Sequence, residues 1–215
     1  MTSLEPLRIT TAFGRFCAFV SATFVIGLVP AALTVAAAAQ SSQPTAAEFG
    51  ERVLRYARTD LQDWIEDPVL IFAIKEQNAL FGTLKETEIA SMDQQWIDGG
   101  SRGLMVLEML DRQASIIARD RREKAGGVIT EIIVMDQYGL NVAISDRTSD
   151  FYQGDEAKYK ETYLLGPDAV HISELEFDDS TQQVQTQVSL TVTDPENGEP
   201  IGAVTLGVRI DKLVN

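Results

Sequence analysis

Past Ala46 the apolar residues recur first at helical spacing and then, beyond residue 128, at every second position. In "AAEFGERVLRYARTDLQDWIED", Phe49, Val53, Tyr56 and Ala57 fall on one face, with Leu61 and Trp64 following, which predicts an amphipathic helix. Asp67-Pro68 reads as an N-cap followed by proline at the first position of a second helix, "VLIFAIKEQNAL". Thr83 and Glu86 fit a T-x-x-E capping box opening a helix that carries Ile89, Met92 and Trp96. "GLMVLEMLDRQASIIARDRREKAGG" predicts one further helix. Arg119, Arg121, Arg122 and Lys124 suit its C-terminal end, and Gly126 its stop.

The period then changes. "VITEIIVMD" and "LNVAISD" are β-rich and flank "DQYG", a hairpin turn. "VHISELEF" predicts a strand. "VQTQVSLTV" alternates strictly, with Val184, Val188, Leu190 and Val192 on one side and Gln185, Gln187, Ser189 and Thr191 on the other. "DPENGEP" is a turn, and "IGAVTLGVRI" completes about five strands, mostly joined as hairpins and therefore antiparallel. Helices followed by strands imply an α+β domain whose helices cover one face of the sheet.

The N-terminus follows a different pattern. Arg8 and Arg15 precede a charge-free run from Phe16 to Ala39 that ends in "AALTVAAAAQSS". A basic start, an apolar middle and small residues at the end are the parts of a secretory leader, placing cleavage near Ala39. An uncleaved membrane anchor is the alternative, since about 20 apolar residues span a bilayer. The expected organisation is a leader over 1–39, a spacer over 40–47 and one domain over 48–215, exported to the periplasm or held on the inner membrane.

Charge and cysteine content narrow the classes further. The chain of 215 residues is 45% hydrophobic and carries a net charge of −14; without Arg8, Arg15 and Glu5 the remainder stands at −15. So acidic a surface repels nucleic acid. Cys17, the only cysteine, lies inside the leader, so the domain has no disulfide and relies on its core. At about 176 residues it is large enough to do so.

Catalytic devices are hard to find. His171 is the only histidine, sits in an alternating strand and lies near no nucleophile-elbow motif. Zinc ligation lacks the residues. "DPENGE" misses the calcium-loop spacing and "EFDDST" reads as a solvated loop. Gly198, Gly202 and Gly207 fall among strands with no helix following, so they permit a turn and close packing rather than a phosphate loop. No catalytic, metal or cofactor residue is assigned.

The segment "SDRTSDFYQGDEAKY" is different. Arg147, Asp150, Tyr152, Asp155, Lys158 and Tyr159 put both charge signs and two phenol rings within a short span. A guanidinium pairs bidentately with a carboxylate, and a tyrosine offers an apolar face with a hydroxyl tip. That mixture suits a small polar ligand, and Arg147, Asp150, Tyr152, Lys158 and Tyr159 are the candidate ligand-binding residues. The plainer reading pairs Arg147 with a neighbouring acid and uses Gly154-Asp155 to cap the short helix "EAKYKETY".

"ITEIIVMDQYGLNVAISDRTSDFYQGDEAKYKETY", with "FDDSTQQVQTQVSLTVTD" and "PIGAVTLGVRIDKL", resembles the extracytoplasmic PDC sensors, or single Cache domains, over about residues 48–213. The resemblance implies long N-terminal helices packed on a PAS-like five-stranded antiparallel sheet. It places a small-molecule pocket between the sheet and the loop and short helix after the first hairpin. Members of that family bind carboxylates or amino acids outside the membrane in histidine kinases and chemoreceptors. In amino-acid-binding members an arginine shortly before an aromatic pair holds the ligand carboxylate. Here three residues, rather than one, intervene between Arg147 and Phe151-Tyr152.

The function expected is that of an exported sensor module without enzymatic activity, free-standing, taking a carboxylate or amino-acid-like ligand. It would report to a separate membrane-bound signalling protein or transporter, with a weak homodimer through the N-terminal helix. The alternative is a ligand-free structural or interaction module on the same fold. If the leader is removed, Edman sequencing of secreted protein will begin within a few residues of Gln40; an intact N-terminus retained in the inner membrane would identify an anchor.

Overall fold

Residues 46–60, 62–178 and 183–213 are described by the computed structural model; the expected leader over 1–39 and the spacer up to residue 45 lie outside them. The helical half resolves into α1 (Ala46–Asp60), α2 (Gln62–Ile65), α3 (Pro68–Phe81), α4 (Glu86–Gly99), α5 (Leu104–Asp111) and α6 (Gln113–Lys124). β1 (Ile129–Met135) and β2 (Asn141–Ile144) form the first hairpin, and α7 (Ala157–Lys160) follows. β3 (Val170–Ile172), β4 (Glu176–Asp178), β5 (Gln183–Thr193), β6 (Pro200–Arg209) and α8 (Ile210–Leu213) complete the chain. Among the described residues no helix is long and apolar enough to cross a membrane.

Asp67 caps α3 as expected, accepting the Val69 N–H at 2.8 Å ahead of Pro68. The cap of α4 lies two residues later than Thr83. Lys85 occupies it, and its N–H donates to the Glu88 carboxylate at 2.9 Å. The Tyr138 hydroxyl accepts the Leu84 N–H and keeps the preceding chain out of the helix. The long helix expected over 103–127 is broken at Arg112, whose φ of −61° and ψ of 142° are extended. That break carries the Arg112 guanidinium to the side chain of Gln77, 2.8 Å away. Gly126 and Gly127, both at positive φ, end α6.

The sheet is antiparallel in the order β2-β1-β6-β5, with β3 and β4 both on the outer edge of β5. Five strand positions are thus filled by six segments. The strand expected over "VHISELEF" is interrupted because the Ser173 hydroxyl, not a ladder carbonyl, accepts the Gln187 N–H at 2.9 Å. Ser173 also turns its carbonyl to the Thr186 hydroxyl at 2.8 Å.

Both faces of the sheet are covered, where the sequence suggested helices on one. Ile132, Val134, Val188, Val192, Val204 and Leu206 pack under α1, α3 and α6, against Val53, Ala57, Leu70, Ile74 and Ala118. The alternate residues Ile133, Met135, Ile144 and Ala203 pack with Trp96, Val106, Met109, Phe151 and Tyr159 on the other side. Each large side chain so buried contributes about 1.5–3 kcal/mol. The second half of β1, Ile132 to Met135, therefore reads as a continuous apolar run, as a strand buried on both faces does. At Gly202 a Cβ would stand 2.1 Å from the Met135 carbonyl oxygen, so only glycine lets β6 lie against β1 there.

Lys75 ties α3 to the β5–β6 turn, with its Nζ 2.7 Å from Asp194 and 3.0 Å from Glu196. Its hydrogen bond to Asp194 raises the lysine pKa, and the same bond lowers that of Asp194. The depressed carboxylate contributes stability that is present above about pH 3.9 and lost as pH falls through its folded value. The raised lysine contributes stability that is present below about pH 10.4 and lost as pH rises through its folded value. Melting temperatures measured against pH should therefore separate Lys75→Met from the parent at neutral pH and converge at both extremes. A constant offset across the range would mean the ion pair contributes nothing.

Candidate functional site

The β1–β2 turn is organised by one carboxylate. Asp136 is fully buried, and its Oδ1 accepts the N–H groups of Tyr138 at 2.8 Å and Leu140 at 3.0 Å. Its Oδ2 accepts from Gln77 Nε2 at 2.9 Å. The other end of that amide, Gln77 Oε1, accepts from Arg112 Nη1. An arginine can only donate and a carboxylate can only accept, so the orientation of Gln77 is dictated from both ends. Burial drives the Asp136 pKa above the usual carboxylate range, opposed by Gln77 and the backbone donors. Burial likewise lowers the pKa of Arg112, against the attraction of Glu76 and Glu108.

The segment after β2 lies along this turn as a further short strand. Gln153 N–H donates to the Gly139 carbonyl at 2.8 Å, Asn141 N–H donates to the Phe151 carbonyl at 3.0 Å, and Leu140 bridges Tyr152. Gly139, at φ +79°, and Gly154 meet backbone to backbone: a Cβ on Gly139 would stand 2.5 Å from Gly154 Cα. The far edge of the segment is held by Asp93 of α4, whose Oδ1 accepts from Phe151 N at 2.8 Å and Tyr152 N at 2.9 Å. Buried Trp96 donates to the Thr148 carbonyl at 3.0 Å and sets its ring 5.5 Å from that of Phe151.

The sequence-predicted residues take distinct places in this arrangement. Arg147 is exposed, and among the described residues it shares no hydrogen bond or ion pair with the other four. Asp150 accepts from Gln153 Nε2 through its carboxylate. Lys158 is 8% exposed and donates to Gln153 Oε1 at 3.0 Å, with Glu156 3.1 Å away, so Asp150, Gln153 and Lys158 form one chain of contacts. Tyr152 packs partly buried against the cluster that contains Phe151 and Tyr159. Tyr159 is buried, donates to the Gln137 carbonyl and stacks on Tyr163 at 5.3 Å. Burial pushes all three phenols above their usual range, Tyr159 the most, so they remain protonated at neutral pH. Asp155 does not cap α7; Glu156 holds that position without a side-chain bond.

Further contributors escaped the sequence reading. Thr205 is paired across the strands with Ser189, and their buried hydroxyls are 2.9 Å apart. By strand alternation they share the sheet face of Ala203, the face covered by α4 and the segment after β2, with Glu131 and Gln187 joined at 2.9 Å further along. α7 packs on β5 and β3 above this row. Its neighbour Glu161 places a carboxylate oxygen 2.9 Å from His171 Nδ1, giving the lone histidine a hydrogen-bond partner. Asn141 Oδ1 and Thr191 Oγ1 are among the buried side-chain oxygens that have no partner among the described residues. Gln77 gave no signal either, since it stands in the polar run Lys75-Glu76-Gln77-Asn78 and only its burial sets it apart.

No family model and no curated protein matches the chain. Solved structures similar to it include the sensor domain of the histidine kinase DctB of V. cholerae, at 12% identity and a TM-score of 0.43 over 78% of this chain and 54% of that one. Another is the sensory domain of the Campylobacter jejuni chemoreceptor Tlp3, at 12% identity and a TM-score of 0.39 over 74% and 66%. A third is the ligand-binding domain of the Pseudomonas aeruginosa amino acid chemoreceptor PctC in complex with GABA, at 15% identity and a TM-score of 0.35 over 77% and 62%. The chain spans about half to two thirds of the length of these domains.

Replacing Asp136 by asparagine puts an amide donor against Gln77 Nε2, which cannot turn without opposing Arg112. Asp136→Asn should lower stability by about 1–3 kcal/mol, the cost of leaving buried donors unsatisfied. A urea midpoint equal to that of the parent would show that the three side chains do not act as a chain.

Proposed function

We propose that the chain is an exported sensor module that holds a small anionic or zwitterionic molecule, a carboxylate or an amino acid, between the sheet and α7. A separate membrane-bound signalling protein or transporter carries the message onward. The domain over 48–215 is the working unit in this reading, outside the cytoplasm once the segment over 1–39 has directed export. Ligand capture, not chemistry, is its activity.

One observation carries the reading. Lys158 is a buried cation with three donors and two protein acceptors, Gln153 and Glu156. Burying an ammonium is costly unless acceptors surround it, and the third donor suits a ligand carboxylate. The buried hydroxyls of Ser189 and Thr205 and the protonated rings of Tyr152 and Tyr159 supply polar contacts to the rest of such a molecule. Arg147, exposed on the same segment, meets an incoming anion first, and Asp150 fixes Gln153 behind the lysine.

A second reading, a structural or interaction module without ligand, is favoured by the completeness of the packing. Asp93, the Trp96–Phe151 contact and the Tyr159 hydroxyl all hold the segment down.

Thermal-shift screening with carboxylates and amino acids, followed by calorimetry, separates the two. The sensor reading expects a compound that raises the melting temperature, with binding weakened at least tenfold, about 1.4 kcal/mol, by Lys158→Met. Arg147→Ala should weaken it less. No stabilising compound, together with a Lys158→Met variant more stable than the parent, is the result expected of the ligand-free module, since an apolar replacement removes a buried charge.

A further inference from the structure

The outer side of α3 exposes Val69, Phe72 and Leu80 around a single carboxylate, Glu76. Its inner side buries Leu70, Ile71 and Ile74 against the sheet, yet Phe72 is 64% and Leu80 77% exposed. Large apolar side chains clustered in solvent on one helix face mark an interaction surface. Phe72 stands between two clefts. One, of about 510 Å³, runs between α3 and the β5–β6 turn over Pro68, Ile71 and Pro195. The other, of about 430 Å³, runs between α3 and the start of α6 over Val69, Ala73 and Ala114. A projecting side chain flanked by grooves is the form of a helix-packing surface.

We propose that this face binds a second copy of the chain, with each Phe72 seated in the partner's groove between α3 and α6. Two features select a copy of the same chain over another protein. Knob and groove lie on one face, so a two-fold rotation makes each satisfy the other, as an isologous contact requires. The charges at the groove are also self-complementary. Glu76 and Arg112 line it together, and a two-fold pairing brings each Glu76 toward the partner's Arg112, so that the four charges alternate in sign. Elsewhere a net charge of −14 keeps copies apart. The contact is independent of any ligand beneath α7. It reaches that region all the same, because Arg112 is the first link of the chain through Gln77 to Asp136.

The test is sedimentation equilibrium of the purified chain across the micromolar range. A monomer–dimer equilibrium is expected. Phe72→Asp should weaken it about a hundredfold or more, because the change enters a two-fold interface twice. Phe72→Leu should stay within about tenfold of the parent. Glu76→Ala should weaken it a few-fold. Leu165→Asp changes an equally exposed apolar residue on the loop after α7 and should leave it unchanged. Circular dichroism melts of the Phe72 variants should match the parent at concentrations where the parent is monomeric, since that ring is then largely in solvent. A monomer at every concentration overturns the proposal. So does a dimer indifferent to Phe72→Asp, or one that Leu165→Asp disrupts as strongly.

Discussion

A glutamine can serve an arginine and a carboxylate at the same time in only one orientation, with its oxygen toward the first and its nitrogen toward the second. Gln77 is placed so between Arg112 and Asp136, and much of the structure follows from it. The guanidinium reaches this point because the chain is extended at Arg112, where an uninterrupted helix would have run. The carboxylate, held from outside, has its other oxygen free to gather two backbone N–H groups and shape the turn. The turn in turn offers the Gly139 carbonyl and the Asn141 N–H on which the following segment is laid. Helix break, hairpin and loop thus share one polar chain across the helical and sheet layers.

What lies above and below the sheet differs in kind. The α1, α3 and α6 side is predominantly apolar, with the Gln77 amide and the Ser115 hydroxyl as buried polar groups at its β2 edge. The α4, α5 and loop side grades from Met135 and Ala203 through the Ser189–Thr205 hydroxyls to Glu131 and Gln187. An apolar face excludes solvent without selecting a partner, whereas buried hydroxyls and a buried ammonium are stable only with particular partners in place. Discrimination between small molecules, if the domain exercises it, belongs on the second side.

Helices and strands were legible where a single period ran uninterrupted, as in α1 and β5, and where a cap had one interpretation, as at Asp67-Pro68 before α3. The misreadings have local causes. Arg112 breaks a helix through a tertiary hydrogen bond, and Ser173 interrupts a strand with its own side chain; neither leaves a mark on periodicity. The α4 cap moved because Tyr138, distant in sequence, holds the Leu84 N–H. At the site, the segment from Arg147 to Tyr159 stood out by composition, and the structure folds it against the turn. Alternation in "VQTQVSLTV" separated two faces but could not say that a second layer covers the polar one. Ser189 and Thr191 are consequently buried, though their residue types suit solvent.

The backbone contact between Gly139 and Gly154 bears on how this segment can move. Residues 151–153 are pinned on one edge by the turn and on the other by Asp93, so they form the static flank of the loop. Beyond Gly154 the chain is attached through side chains, chiefly Lys158, Tyr159 and Glu161. Any opening is therefore a one-sided swing about Gly154 with α7 as the lever, and not a lifting of the whole loop. Amide hydrogens at 151–153 would exchange with the slow core, and those of α7 on the faster timescale of a local opening. Entry and exit at the polar face would share the rate of that swing, whatever passes through.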